Sequence, residues 1–322
     1  MEKFKRYTTK QLTERLREPV RRIIVVAGPR QIGKTTAVGQ ALRERPASSY
    51  SFLAVDAPET DGDSSTDFSG DTVTTRAFGN SAPHNSAWLI EKWQAARKAA
   101  LAWHLQPQTM PTQQAEQRLP FVLVFDEIQL ITNWSSVVKG LWDRDRAQEL
   151  PMHVVVLGSA PLLMRSDLSE SLMGRFELLR MTHWSYSEMR ECFGFSLDQY
   201  VYFGGYPGPA PWVLQGNEYR WRDEVIHSLI EPNLVKDILA LARIEKPAVL
   251  RQLFQLGCTY SGQIVALTKL LTQLNDAGNT TTLTHYLQLL RAAGLLVGLE
   301  KYAAQVIRQR AAPPKLNVLN TA

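Results

Sequence analysis

Cysteine is almost missing: Cys192 and Cys258 are the only two in 322 residues. Two thiols so far apart make neither a disulfide framework nor a metal-type cluster. They are expected to be small buried hydrophobes. No apolar run approaches the ~18 residues of a membrane span. The opening Met1-Glu2-Lys3-Phe4-Lys5-Arg6 has no apolar core behind it, which predicts no secretory leader. These absences predict a cytoplasmic protein in a reducing compartment, with no membrane partner. What is present, 44% hydrophobic and 21% charged residues, is ordinary for a globular chain. The length allows two or three domains.

Charge is unevenly placed. Residues 1–22 hold eight Lys/Arg and three Asp/Glu, and so do residues 245–322. Each end is therefore +5 and the centre −5. Either a polyanion such as DNA is a partner or these are solvated basic faces.

The richest stretch is Gly28-Pro29-Arg30-Gln31-Ile32-Gly33-Lys34-Thr35-Thr36, which fits G-x-x-x-x-G-K-[ST]. Ile23 to Ala27 before it reads as a buried parallel strand. Thr35 to Arg43 after it reads as a helix. Backbone N–H groups and the helix N-terminus make an anion cradle. Lys34 is expected on the β- and γ-phosphates of ATP, and Thr35 on Mg²⁺.

Residues 3–18 read as a basic amphipathic helix stopped by Pro19. Tyr50 to Asp56 reads as a second strand; Asp56 at its end is either a nucleotide or Mg²⁺ contact or a turn-starting aspartate. Polar stretches 57–87 and 106–117 are expected to be flexible loops around a Trp-bearing helix, 87–105. Phe121 to Phe125 is a third strand, ending in Asp126-Glu127 ninety-two residues after Lys34. Successive strand residues point in opposite directions, so Asp126 can face Mg²⁺ while Glu127 orients the attacking water. A fourth strand, 153–157, ends at Gly158-Ser159. Ser159 is either a γ-phosphate sensor or a helix N-cap. Gly174-Arg175 precedes a fifth strand, 176–181. Arg175 is an arginine finger toward a neighbouring subunit, a structural ion-pair residue or a contact to its own nucleotide.

This order of elements resembles the AAA+ ATPases, with Walker A, Walker B, sensor and arginine finger in sequence. More narrowly, Gly28–Thr36, Asp126-Glu127-Ile128-Gln129, Gly158-Ser159, Gly174-Arg175, Trp93 with Ala95-Ala96-Arg97, and Phe203-Gly204-Gly205-Tyr206-Pro207 are similar to a prokaryotic family. Its members join an AAA-type ATPase domain to a winged helix and a C-terminal domain of unknown function. The resemblance covers residues 20–320, broadly. It implies an α/β fold with a parallel five-stranded sheet between helices, ATP and Mg²⁺ as ligands, and a homo-oligomer assembled through Arg175. It also implies a helical lid, in which Arg220 or Arg222 is either a second sensing arginine or solvated.

The expected divisions are an ATPase domain at 1–183, a lid at 184–243, a winged helix at 244–302 and the start of an incomplete C-terminal domain at 303–322. Ser185 and Glu188 have capping-box spacing at the lid's first helix. In the winged helix, 280–293 is the helix expected in a DNA groove. Its outward candidates are Thr281, Thr282, Thr284, His285, Gln288 and Arg291, followed by Arg308, Arg310 and Lys315. The alternative is a winged helix that packs on the ATPase or binds protein. Two functions follow: an ATPase that drives rearrangement of its attached domain, or a nucleotide-dependent DNA- or protein-binding switch with slow, regulatory hydrolysis.

Overall fold

The computed structural model describes residues 4–56, 84–105, 118–159, 171–232, 234, 238, 244–275, 278–302 and 312–322. The chain divides into two compact units. The first comprises 1–27, 33–158 and 165–181; the second comprises 28–32, 159–164 and 182–322.

The first unit is the expected α/β layer structure. In chain order it runs α1 (Tyr7–Arg17), β1 (Ile23–Gly28), α2 (Lys34–Leu42), β2 (Tyr50–Ala54), α3 (Ser86–Leu105), β3 (Phe121–Asp126), α4 (Trp134–Ala147), β4 (Met152–Ser159) and β5 (Phe176–Arg180). The sheet order is β2-β3-β4-β1-β5, and the strands run parallel. Register sets Ile23 beside Phe176 and Phe125 beside Val156. β1, β3 and β4 are buried along their whole length, while edge strands β2 and β5 are only partly covered. Central strands covered on both faces must be near-continuous apolar runs, which is how they read in sequence.

α3 is pinned to α4 by one carboxylate. Asp145 Oδ2 accepts from Trp93 Nε1 at 2.7 Å, and Asp145 Oδ1 accepts from Arg97 Nε at 2.5 Å. Arg97 Nη2 also donates to the Leu141 carbonyl at 3.0 Å. A fully buried Trp N–H needs an acceptor, and a buried carboxylate needs a cation. Each supplies the other's partner. The tryptophan stripe is therefore core, with Trp93 rather than Trp88 at its centre. Residues 57–83 and 106–117, which cover the two expected flexible loops up to His84, lie outside the described residues.

The second unit is helical. α5 (Tyr186–Phe193) opens on a complete capping box from Ser185 and Glu188, and α6 (Leu197–Phe203) repeats it with Ser196 and Gln199. α7 (Ala210–Leu214) and α8 (Glu218–Glu224) follow, and α8 continues into a π-helical turn over Val225–Ile230. Then come α9 (Pro247–Thr259), α10 (Leu267–Leu271), α11 (Thr280–Ala292) and the antiparallel pair β6 (Leu296–Leu299) and β7 (Lys315–Val318). Ile264 bridges to Lys315. Leu253, Leu270, Leu283, Leu290, Leu296 and Leu316 centre one apolar cluster here. The segment expected to begin a further domain thus supplies β7, whose Leu316 is fully buried in that cluster.

The two thiols correct an expectation. Cys192 is only half-buried and Cys258 is exposed. Neither is activated: desolvation of the sulfur raises both pKa values, that of Cys258 to about 11.

Candidate nucleotide site

β1 ends at Gly28, and the chain turns through Pro29 to Gly33 before α2 begins at Lys34. The turn needs left-handed backbone twice, at Gln31 (φ 56°) and Gly33 (φ 88°). Glycine adopts that conformation without steric cost, which explains the second glycine of the motif. Lys34 and Thr35 therefore stand on the first turn of α2, where backbone N–H groups lack intrahelical partners. Lys34 is buried, and a buried ammonium must be met by acceptors or anions.

Asp126 ends β3 and is buried. Thr35 Oγ1 donates to its Oδ2 at 2.7 Å. Two neighbouring ligands of an octahedral Mg²⁺ lie about 2.9 Å apart, given metal–oxygen distances near 2.1 Å. The hydroxyl and carboxylate thus already have the spacing and donor chemistry that Mg²⁺ takes. β4 lies between β1 and β3, so Ser159, its buried last residue, ends on the strand between loop and acid.

Glu127 follows in left-handed backbone (φ 55°, ψ 36°). For a residue with a Cβ this costs on the order of 1 kcal/mol. A one-turn 3-10 helix, Ile128–Leu130, fixes it: the N–H of Leu130 donates to the Glu127 carbonyl at 3.1 Å, and Ile128 and Ile131 are fully buried. Gln129, buried in that turn, donates from Nε2 to Glu127 Oε2. Sequence reasoning quoted Gln129 without a role. Its i+2 spacing from the glutamate across a tight turn is the signal that pointed to one.

Arg175 lies elsewhere. Its carbonyl accepts from the N–H of Ile23, at the start of β1, and a strand the length of β1 spans roughly 20 Å. Arg175 is at the far end of the sheet from Asp126. Its guanidinium is instead in a bidentate pair with Asp143, Nε–Oδ1 at 2.7 Å and Nη2–Oδ2 at 3.0 Å. That pair holds the Asp143 carboxyl below its usual pKa. Asp56 is exposed in the turn after edge strand β2, which lies three strand spacings or roughly 14 Å from β1.

The loop's first half belongs with the second unit. The Ile32 carbonyl accepts from Trp184 Nε1 at 3.0 Å. Gly294 ends α11 in left-handed backbone (φ 76°), and a Cβ there would collide with the Pro29 ring. His183 Nε2 lies 2.7 Å from the Gly294 carbonyl, and Asn320 Nδ2 donates to His183 Nδ1 at 3.1 Å. No sequence motif indicated these contacts.

On α11, Thr281, Thr284, His285, Gln288 and Arg291 are exposed. Thr282 is half-buried, and both its N–H and hydroxyl donate to Asn279 at the N-cap. Arg308 and Arg310 lie outside the described residues. Arg220 stacks on Trp212 at 4.5 Å and Arg222 faces Tyr219 at 5.9 Å, both on the exposed surface.

A phosphate loop after an inner strand of a parallel sheet, with an acid two strands away, defines a P-loop protein of the AAA type. The family model described as "AAA domain" matches residues 20–190, more than half of the chain, and the chain belongs to that family. A second model, "Domain of unknown function (DUF8612)", matches 194–322. It spans as one stretch most of what sequence reasoning divided into lid, winged helix and a further domain. Uncharacterized protein Rv2008c of Mycobacterium tuberculosis is 26% identical over 200 residues, 62% of this chain and 43% of that protein. Mb2031c of Mycobacterium bovis matches to the same extent. The aligned stretch covers less than half the length of these curated relatives. Among solved structures, Aeropyrum pernix ORC1 in complex with DNA aligns over 97% of this chain and 88% of its own at 12% identity, TM-score 0.33. The cytoplasmic domain of the type VII secretion ATPase EccC of Thermomonospora curvata aligns over 52% and 20% at 16% identity, TM-score 0.30. Likenesses at these TM-scores carry no inference.

Proposed function

We propose that this chain binds ATP with Mg²⁺ and hydrolyses it, and that turnover gates rearrangement of its C-terminal region. The observation that carries the reading is the contact of Thr35 with Asp126, which joins the phosphate loop to the end of β3. Thr35 and Asp126 would hold Mg²⁺, which when bound neutralises phosphate charge. Lys34 pairs with the β- and γ-phosphate oxygens, and the N–H groups of the loop cradle them. Glu127 accepts a hydrogen bond from the attacking water and aligns it with the γ-phosphorus, in line with the departing ADP oxygen. Gln129 keeps the Glu127 carboxylate aimed. Ser159 contacts the water or γ-phosphate.

Arg175 is too far to serve its own site and is offered on the surface, which supports a role at a neighbouring subunit's nucleotide. It would have to exchange Asp143 for that phosphate. Mixing Arg175→Ala with Lys34→Ala chains restores activity in that case. Absence of rescue in mixed assemblies removes the assignment.

The second reading, a nucleotide-dependent switch, is favoured by the packing of Pro29 and Ile32 against Gly294 and Trp184. Loading the loop would then be felt in the C-terminal region before any hydrolysis. We read α9, α10, α11 and the β6–β7 pair as a winged helix. His285, Gln288 and Arg291 on its exposed face are DNA-contact candidates; Thr282 serves its helix cap first.

Glu127→Gln separates the readings. The ATPase reading expects ATP affinity within about twofold of wild type and turnover reduced by about 10²–10³-fold. Unchanged turnover removes Glu127 from the mechanism and leaves the switch. DNA binding, measured by fluorescence anisotropy, is expected to weaken steeply with salt. Salt-independent binding points to another contact mode.

A further inference from the structure

The end of the sheet opposite Asp126 carries a cleft of about 230 Å³. Its walls are the end of α1, the segment from there to β1, and the starts of β4 and β5. Arg15, Glu18, Arg21, Arg22, His153 and Glu177 line it, so it is almost wholly polar. The charges are unequally paired. Arg15 takes both carboxylates, Glu18 at 2.9 Å and Glu177 at 3.4 Å. Arg21 and Arg22 are exposed and have no ion pair or hydrogen bond among the described residues.

Among the described residues the inner wall adds no anion. His153 is 3% exposed, its Nε2 lies 3.0 Å from the Glu18 carbonyl, and its Nδ1 is buried without a partner. Burial pushes its pKa down to about 4, so the ring is neutral at pH 7. Behind it, half-buried Arg45 is held by the carbonyls of Leu16 and Pro120 and by no carboxylate among the described residues. Three guanidinium groups thus line the cleft with two carboxylates, an excess of one positive charge, and Arg45 behind His153 adds a second. Guanidinium forks match phosphate oxygens, and a phosphate monoester or inorganic phosphate carries about −1.5 to −2 at pH 7.

We propose that this cleft is a second phosphate-binding site, separate from the phosphate loop and anchored by Arg21 and Arg22. Its phosphate comes either free in solution or on a polynucleotide strand. The site stands independently of the ATPase reading.

The test uses the full chain carrying Lys34→Ala, which disables the phosphate loop, alongside the wild type. Inorganic phosphate is titrated by calorimetry, with the His153 imidazole resonances as a local reporter. The proposal expects binding in the Lys34→Ala chain and movement of the His153 signal. Adding Arg21→Ala and Arg22→Ala, both on exposed side chains, lowers the affinity at least tenfold. Glu177→Gln raises it about threefold, a sign that general damage to the fold would not produce. A twelve-nucleotide single strand is the second probe. Binding that weakens with salt and is lost with the two arginines assigns the phosphate to a strand; binding of inorganic phosphate alone assigns it to a free ligand. Failure of both probes to bind overturns the site, and so does binding unchanged in the double-arginine variant.

Discussion

β4 carries a buried polar residue near each end, His153 and Ser159, and the two ends of the sheet differ around them. At the Ser159 end, helix N-termini approach the strand tips. The chain there is bent into left-handed backbone at Gly33 and Glu127, and carboxylates and a buried lysine are held near one another. At the His153 end, helices finish and their carbonyls are in excess. Cations and N–H donors answer them: His153 on Glu18, Arg45 on Leu16 and Pro120. A parallel sheet with connecting helices imposes this polarity, because every helix dipole points the same way. Strain and ready-made anion affinity gather at one end. At the other, buried polar groups serve the fold, and the exposed Arg21 and Arg22 are left over.

The sharpest way to break this contrast is Lys34→Ala. On the proposed reading it weakens ATP binding by at least about 10³-fold, because a charge-assisted contact to the phosphates is lost. Isothermal titration and a melting curve together check it. A large loss of stability with retained affinity would make Lys34 a structural residue.

The His153 end is expected to behave in the opposite way. Its folded pKa of about 4 lies below the unfolded value of 6.5. The unfolded chain therefore binds more protons between these values. Stability is full above pH 6.5 and is lost as pH falls toward 4, by about 3 kcal/mol in all. Urea unfolding at pH 7.5 and 5 measures this, and His153→Gln should flatten the slope. A variant as pH-sensitive as the parent would place the titrating group elsewhere.

A smaller effect is expected at Gln129. Its replacement by Leu is expected to lower turnover about tenfold with ATP affinity unchanged, since one hydrogen bond to a charged group is worth roughly 1.5 kcal/mol. On a Glu127→Gln background it should add nothing further. An additive loss would show that Gln129 acts on folding or binding instead. An effect of similar size, on stability, is expected from Gly294→Ala: left-handed backbone and the Pro29 ring oppose the new methyl, costing about 1–2 kcal/mol. If the second reading holds, ATP affinity shifts with it. An unchanged affinity would uncouple α11 from the phosphate loop.

Much of the site was legible because it is local. Gly28 to Thr36 is one turn between a strand and a helix, and its glycine and lysine are needed by geometry within nine residues. Asp126-Glu127 follows an apolar strand for a similarly local reason. Arg175 was less legible. Its place before β5 was evident, but whether it faced its own nucleotide depended on the direction of β5 relative to β1. The thiols misled because an average tendency to burial says nothing of one face of α9 or α5. The contacts of the loop's first half were invisible, since Trp184, Gly294 and Asn320 are far from Pro29 and Ile32 in sequence and follow no period.

Sequence alone determined the strand–loop–helix at Lys34, the acid pair, the buried parallel strands and the capped starts of α5 and α6. Each rests on backbone sterics, side-chain alternation or hydrogen bonds within a few residues. Tertiary structure alone decided which strand separates β1 from β3, that Thr35 meets Asp126, that Arg175 sits opposite the site, and that Pro29 packs on the end of α11. Those are outcomes of packing surfaces distant along the chain, where many pairings share one hydrophobic pattern and only close fit selects among them.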